Sequence, residues 1–183
     1  KAIRRQRQMC IRDRIHIVKY IQEEYMKAKN IFVSHYHEDA DKIENLKSLV
    51  GNHGINMRDS SIYEKKLKNN ATNEHYIKYE LIRPQITWAG TVVVLVGDKT
   101  ADSDYVNWEI KTAAEMGKRI VGVYLRGAQE SDIPQALKDY GDNLVAWNGE
   151  KIVSAINGED SAWENPDGSL RENNTSGLTH YTC

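Results

Sequence analysis

Glu109 is the side chain best placed to do chemistry in this sequence. It stands in SDYVNWEIKTAAEMG, Ser103 to Gly117, a stretch with helical periodicity. At about 100° per residue, Val106, Ile110, Ala113 and Gly117 fall on one apolar stripe, and Glu109 lies about 60° from its centre. Tyr105 is one turn earlier, and Trp108 points further round, toward solvent or a packing partner. A carboxylate at such a margin loses part of its hydration, so its ionised form needs a cationic or hydroxyl-rich partner. A ribose diol or a positively charged ring would serve. So would a neighbouring Lys or Arg, which would make Glu109 an ordinary border residue.

Other polar residues gather at the ends of apolar runs. Ser34, His35 and Tyr36 close the run IFVSHY, and Asp59 closes INMRD with Ser60 directly after it. These are candidate substrate-binding residues, together with Tyr105 and Trp108. His35 and His37 invite a metal reading, but no third ligand beyond Glu38 or Asp39 is near in sequence, so no metal site is expected. Lys65, Lys66 and Lys68 form a basic cluster that reads as a solvated face. Gly51, Gly54 and Gly97 do not make a phosphate loop.

The elements that position these residues alternate. Strands are expected over 31–36, 55–59, 91–98, 119–125 and 144–147, and helices over 38–54, 71–90, 103–117 and 150–158. Pro84 kinks or divides the second helix. TVVVLVGD, Thr91 to Asp98, is apolar on both faces, as the centre of a parallel sheet requires. The fold expected is α/β and flavodoxin-like: a parallel sheet of about five strands, order 2-1-3-4-5, with helices on both faces. Ligands of such sheets bind beyond the carboxyl ends of the strands, where the order reverses. Here that point lies between the first and third strands, next to Ser34–His37 and Gly97-Asp98, and the Glu109 helix starts just after the latter.

The 183 residues carry 25 basic and 26 acidic side chains, a formal net charge of −1, so no global field favours nucleic acid or an anionic membrane. No apolar run approaches the roughly 18 residues of a membrane span, and no secretory signal is evident. Cys10 and Cys183 are too few for a disulfide framework. A cytoplasmic chain is expected. Its regions are an N-terminal extension over 1–29, one domain over 30–158 and a polar tail over 159–183. Met9 to Arg14 back-translates as ATG TGT ATA AGA GAC AGR, which looks like the transposon end used in sequencing-library preparation. The first fourteen residues or so are therefore set aside as an artefact, residues 15–25 are read as upstream DNA in frame, and a natural start is expected at Met26. The alternative is a genuine helix over Ile15–Lys29.

Taken in order, IFVSHYHEDADK, MRDSSIYE, VVVLVGDKT, YVNWEI and GKRIVGVYL resemble the Toll/interleukin-1 receptor (TIR) domain, and more closely the TIR-like proteins of bacterial Thoeris antiphage defence. The likeness covers about residues 30–158. Many TIR enzymes carry Trp-Cys-x-x-Glu on this helix; Tyr105 stands here in the Trp place, Val106 in the Cys place and Glu109 in that of the catalytic Glu. The resemblance implies cleavage of the bond between nicotinamide and ribose in NAD+, a substrate rather than a cofactor. In Thoeris-like relatives the ADP-ribose part is cyclised into a signal for a separate effector. The resemblance further implies that the loop of Ser34 and His35 lines the nucleotide pocket. The loop of Asp59 and Ser60 would serve pocket closure and self-association. Three rivals stay open: a non-catalytic TIR-like scaffold, a phosphoacceptor receiver on the same fold, and a nucleoside deoxyribosyltransferase-like enzyme.

Overall fold

Five parallel strands form one sheet in the order β2-β1-β3-β4-β5 in the computed structural model, which describes residues 27–60 and 73–171. The strands are β1 Lys27–Ser34, β2 Ile55–Asp59, β3 Thr91–Val96, β4 Arg119–Tyr124 and β5 Asn143–Val145. The expected sheet order is the observed one. The extension through Met26, the Lys65-Lys66-Lys68 cluster, both cysteines and the end of the tail lie outside the described residues. β1 starts at Lys27, four residues before the expected strand and inside the segment assigned to the extension, because Lys27–Ile31 pair with Ile55–Asp59.

The crossovers carry helices α1 Lys42–Asn52, α2 Arg83–Trp88, α3 Asp104–Glu115, α4 Gln135–Tyr140 and α5 Gly149–Asn157. Strand alternation divides the core in two. Ile31, Val33, Val93 and Leu95 face α1 and α5, where they meet Ile43, Leu46, Val50, Ile152 and Ile156. Phe32, Val92, Val94 and Val96 face the opposite way, onto Val106, Ile110 and Ala113 of α3, Ile86 of α2 and Leu137 of α4. All six residues of β3 are buried, as its apolar run requires.

The helix before β3 differs from the expected one. Its residues Tyr76–Ile82 are wound as a π-helix, and Arg83 N–H donates to the carbonyl of Lys78 five residues back. Pro84 gives the physical reason: it has no N–H for the carbonyl four residues earlier, so the ladder shifts by one residue upstream of it. α4 was not expected; at six residues, with only Ala136 and Leu137 buried, it shows no periodicity. The tail is packed as far as Arg171. Leu144 bridges to Trp163, and buried Glu164 pairs with Lys151 Nζ at 2.6 Å. No described helix is long and apolar enough to cross a membrane.

Ile110 is fully buried where α3 meets β3. Ile110→Ala is expected to lower unfolding free energy by about 2–5 kcal/mol, read from urea denaturation, through lost burial and a cavity that the sheet cannot close.

Candidate active site

Helix α3 begins cleanly. The Ser103 hydroxyl accepts from Val106 N–H at 3.3 Å, the side-chain amide of Asn107 donates to the carbonyls of Ala101 and Ser103, and its oxygen accepts from Ala136 N–H. Thr100, fully buried, receives Gly97 N–H on its hydroxyl at 2.8 Å and donates to the Leu95 carbonyl. These bonds fix the β3–α3 loop and set the rotation of α3 about its axis. With that rotation, Val106, Ile110 and Ala113 enter the core and Glu109 comes down beside them, 8% exposed.

The partner of Glu109 follows from strand parity. Phe32 lies on the α3 face of the sheet, so Ser34, two residues on, lies there too, at the carboxyl end of β1 opposite Val94. Its hydroxyl donates to Glu109 Oε2 at 2.5 Å. Among the described residues Glu109 has no ion-pair partner, so the border-residue alternative, a surface pair with Lys or Arg, is not what the structure holds. Burial pushes the Glu109 carboxyl up to about 8, and the Ser34 bond acts in the opposite sense with less effect. The free site therefore holds mainly a neutral acid at pH 7, ready to ionise when a positive charge comes near.

Aromatic residues share helix α3 with the acid, and a lysine sits against them. Tyr105 is partly exposed, and Trp108 is partly buried against the α3-side core. Trp108 therefore packs rather than standing free, edge-on to Tyr79 with ring centroids 5.7 Å apart. Lys78 Nζ sits 5.0 Å from the Tyr105 centroid and 5.7 Å from that of Trp108, and also pairs with Glu74 at 2.5 Å. Lys78 and Tyr79 were not singled out from the sequence. Both lie on the π-wound segment, where a wheel drawn at 3.6 residues per turn misplaces side chains; Pro84 was the available signal.

The remaining candidates are distributed around this centre. His35 is half-buried with Nδ1 3.0 Å from the Val33 carbonyl, and burial lowers its pKa. Tyr36 stacks at a tilt on His37, with Lys99 Nζ 5.7 Å from its ring. Ser60 ties the end of β2 to the α3 side: its N–H donates to the Ile31 carbonyl, and its hydroxyl lies 3.3 Å from the Gln85 carbonyl. Asp59 is placed elsewhere. It shares the parity of Ile55 and Met57, which face α1, and its buried carboxylate lies 3.4 Å from Lys47 Nζ. The structure thus joins Ser34 to Glu109, keeps Tyr105 and Trp108 on the helix of Glu109, sets His35, Tyr36 and Ser60 on loops that follow β1 and β2, and turns Asp59 to the other face.

A five-stranded parallel sheet in this order, with helices on both faces, defines a flavodoxin-like α/β protein. The family described as "Thoeris protein ThsB, TIR-like domain" matches residues 32–130, and the chain belongs to it. Among curated proteins no significant sequence match is found. Three solved structures are similar in fold only. A 2-deoxyribosyltransferase from Bacillus psychrosaccharolyticus has a TM-score of 0.48 at 13% identity, over 69% of this chain and 90% of its own. A CMP N-glycosidase from Clostridium botulinum has 0.44 at 16%, over 72% and 98%. The TIR domain of a Toll-related receptor from Hydra magnipapillata has 0.45 at 12%, over 72% and 94%. None bears on the chemistry of the site.

The raised acid has a consequence for stability. Between the ordinary glutamate value of 4.5 and about 8, the unfolded chain ionises this group while the folded chain keeps it protonated. The folded state then binds more protons, so stability falls as pH rises through that window. Glu109→Gln is expected to remove this loss. Its urea midpoint should change less between pH 5 and pH 8 than that of the unsubstituted protein, and should exceed it at pH 8.

Proposed function

We propose that the protein cleaves the nicotinamide–ribose bond of NAD+ at Glu109, and that it joins the ADP-ribosyl part to itself to form a cyclic ADP-ribose-type signal for a separate effector in antiphage defence. The observation that carries this reading is a buried carboxyl with a hydroxyl partner and, among the described residues, no cation, at the carboxyl edge of the sheet. Membership of the Thoeris TIR-like family supports it.

The chemistry asks for one carboxylate. In NAD+ the pyridine nitrogen is already cationic, so when the bond from C1′ breaks, its electron pair leaves with a neutral nicotinamide. No general acid is needed, unlike ordinary glycosidases, which employ a second carboxyl group. Positive charge moves onto the ribose carbon and ring oxygen, where an ionised Glu109 stabilises it. An adenine nitrogen or ribose hydroxyl of the same molecule then bonds to C1′ and gives up its proton; water in that role yields linear ADP-ribose. The cationic substrate itself favours ionisation of Glu109, and Ser34 helps hold the charged form. Tyr105 flanks the ribose, and His35 and Tyr36 line the approach from the β1 loop. Trp108, packed against Tyr79, supports the wall. Ser60 and its loop serve closure and self-association. The family supports this last role, whereas the Lys47 contact of Asp59 gives that residue a structural part.

Free nicotinamide, measured after incubation of purified protein with NAD+, with and without material from phage-infected cells, tests the proposal. Glu109→Gln is expected to lower release by a factor on the order of 10²–10³ or more while leaving circular dichroism unchanged. No release from the unsubstituted protein under either condition leaves the non-catalytic scaffold as the reading. Because kcat/KM reports the free enzyme, it should rise with pH toward about 8 and then level. Ser34→Ala, which removes a bond favouring the charged acid, should move that rise to higher pH.

A further inference from the structure

A second concavity, of about 690 Å³, lies on the other face of the sheet's carboxyl edge, and the chemistry above does not use it. Its wall includes Leu49, Leu125 and Trp147, which pack with the α1–α5 side of the core, whereas Glu109 and Ser34 sit on the α3 side. Its size is in the range of small-molecule sites, about 300–1,000 Å³.

The polar groups around it are unspent. Arg126 is exposed and forms no ion pair or hydrogen bond among the described residues, and neither do the side chains of Asn45 and Ser48, which α1 presents along the same wall. Lys42, the other cation here, is already held by Asp41 at 2.5 Å. Asp39 and Asp98 enter from the loops after β1 and β3. Gly97 lets Asp39 lie close against the end of β3, since a Cβ there would stand 2.8 Å from Asp39 Oδ2. Burial raises the Asp39 carboxyl, so hydroxyl donors would favour its charged form. A neighbouring concavity of about 610 Å³ shares Arg126 and Trp147, but its own cation, Lys151, is bound to Glu164 at 2.6 Å and to the Gly168 carbonyl at 3.0 Å. The first is therefore the better equipped.

An unpaired guanidinium suits a phosphate. Carboxylates beyond parallel strand ends suit a ribose diol. A half-buried indole offers a stacking face, and Asn45 and Ser48 offer both donors and acceptors to a base edge. We propose that this groove is a second, non-catalytic site for a ribonucleoside monophosphate, with its phosphate on Arg126, its ribose hydroxyls on Asp39 and Asp98, and its base against Trp147.

Adenosine 5′-monophosphate is the probe, titrated into the full chain and followed by calorimetry. Saturable binding with a Kd below about 1 mM is expected. Arg126→Ala should weaken AMP by about tenfold or more and leave adenosine binding unchanged, because it removes only the phosphate contact. Trp147→Leu should weaken both ligands. Should that variant unfold by circular dichroism, the Asn45→Ala/Ser48→Ala pair, on an exposed helix face, takes its place with the same expected result. Glu109→Gln should bind AMP as the unsubstituted protein does. Absence of saturable binding, equal AMP affinity in Arg126→Ala, or loss of binding in Glu109→Gln would each overturn the proposal; the last would put AMP in the NAD+ site. None of these readouts depends on NAD+ turnover.

Discussion

The contact between Ser34 and Glu109 is the constraint on which the rest of the site depends. Two elements 75 residues apart must meet through one hydroxyl and one carboxyl. The strand side is set by parity: β1 pairs with β3 so that Ser34 lies opposite Val94, and a slip by one residue would turn Val33 toward α3 and Ser34 into the α1 face. The helix side is set by the caps and loop bonds that rotate α3. The energies are unequal. One neutral hydrogen bond contributes about 1 kcal/mol net, whereas removing a carboxylate from water costs several. Desolvation prevails, and the acid rests neutral.

That balance separates Glu109 from the other buried acids. Asp59 and Glu164 are as deeply placed, yet Lys47 attends one and Lys151 the other. Those pairs hold β2 to α1 and the tail to α5, and their acids have no charge left to offer. Among the described residues Glu109 is buried without a cation, and its carboxyl is the one pushed far upward. A Lys beside it would stabilise the resting protein and compete with any positively charged ring. The countercharge missing among the described residues is a cost to the fold and, on the proposed reading, the condition for binding a cation.

Much of this was legible in the sequence because it rests on local pattern. The Val run of β3 could be read as a buried parallel strand, and the helix wheel put Glu109 at the edge of an apolar stripe. The loops after β1 and β3 then followed from strand order. What was not legible depends on contacts between distant elements. Ser34 could be named as a candidate, but its bond to Glu109 requires the register of β1 on β3. Asp59 read as the start of a polar loop because nothing near it in sequence announces Lys47 across the β2–α1 packing. Lys78 and Tyr79 escaped because a π-turn breaks the periodicity by which helical faces are found. The tail read only as a polar segment, although Trp163 and Glu164 anchor it to β5.

Local rules broken without compensation tend to mark function, since a residue that lowers stability needs another reason to be there. By that criterion the two faces of the carboxyl edge differ in kind. The α1 side breaks the rules less: Asp39 is only partly buried, and Arg126, exposed and unpaired among the described residues, costs the fold nothing. The α3 side buries an acid that has no cation among the described residues, on the helix that also carries Tyr105 and Trp108. A site that carries such a cost at rest is suited to a ligand that brings positive charge and then loses it, because the attraction is strongest on arrival and fades as the neutral leaving group departs. On the proposed reading, charge on the substrate, more than shape, is the property to which this arrangement of Ser34 and Glu109 responds.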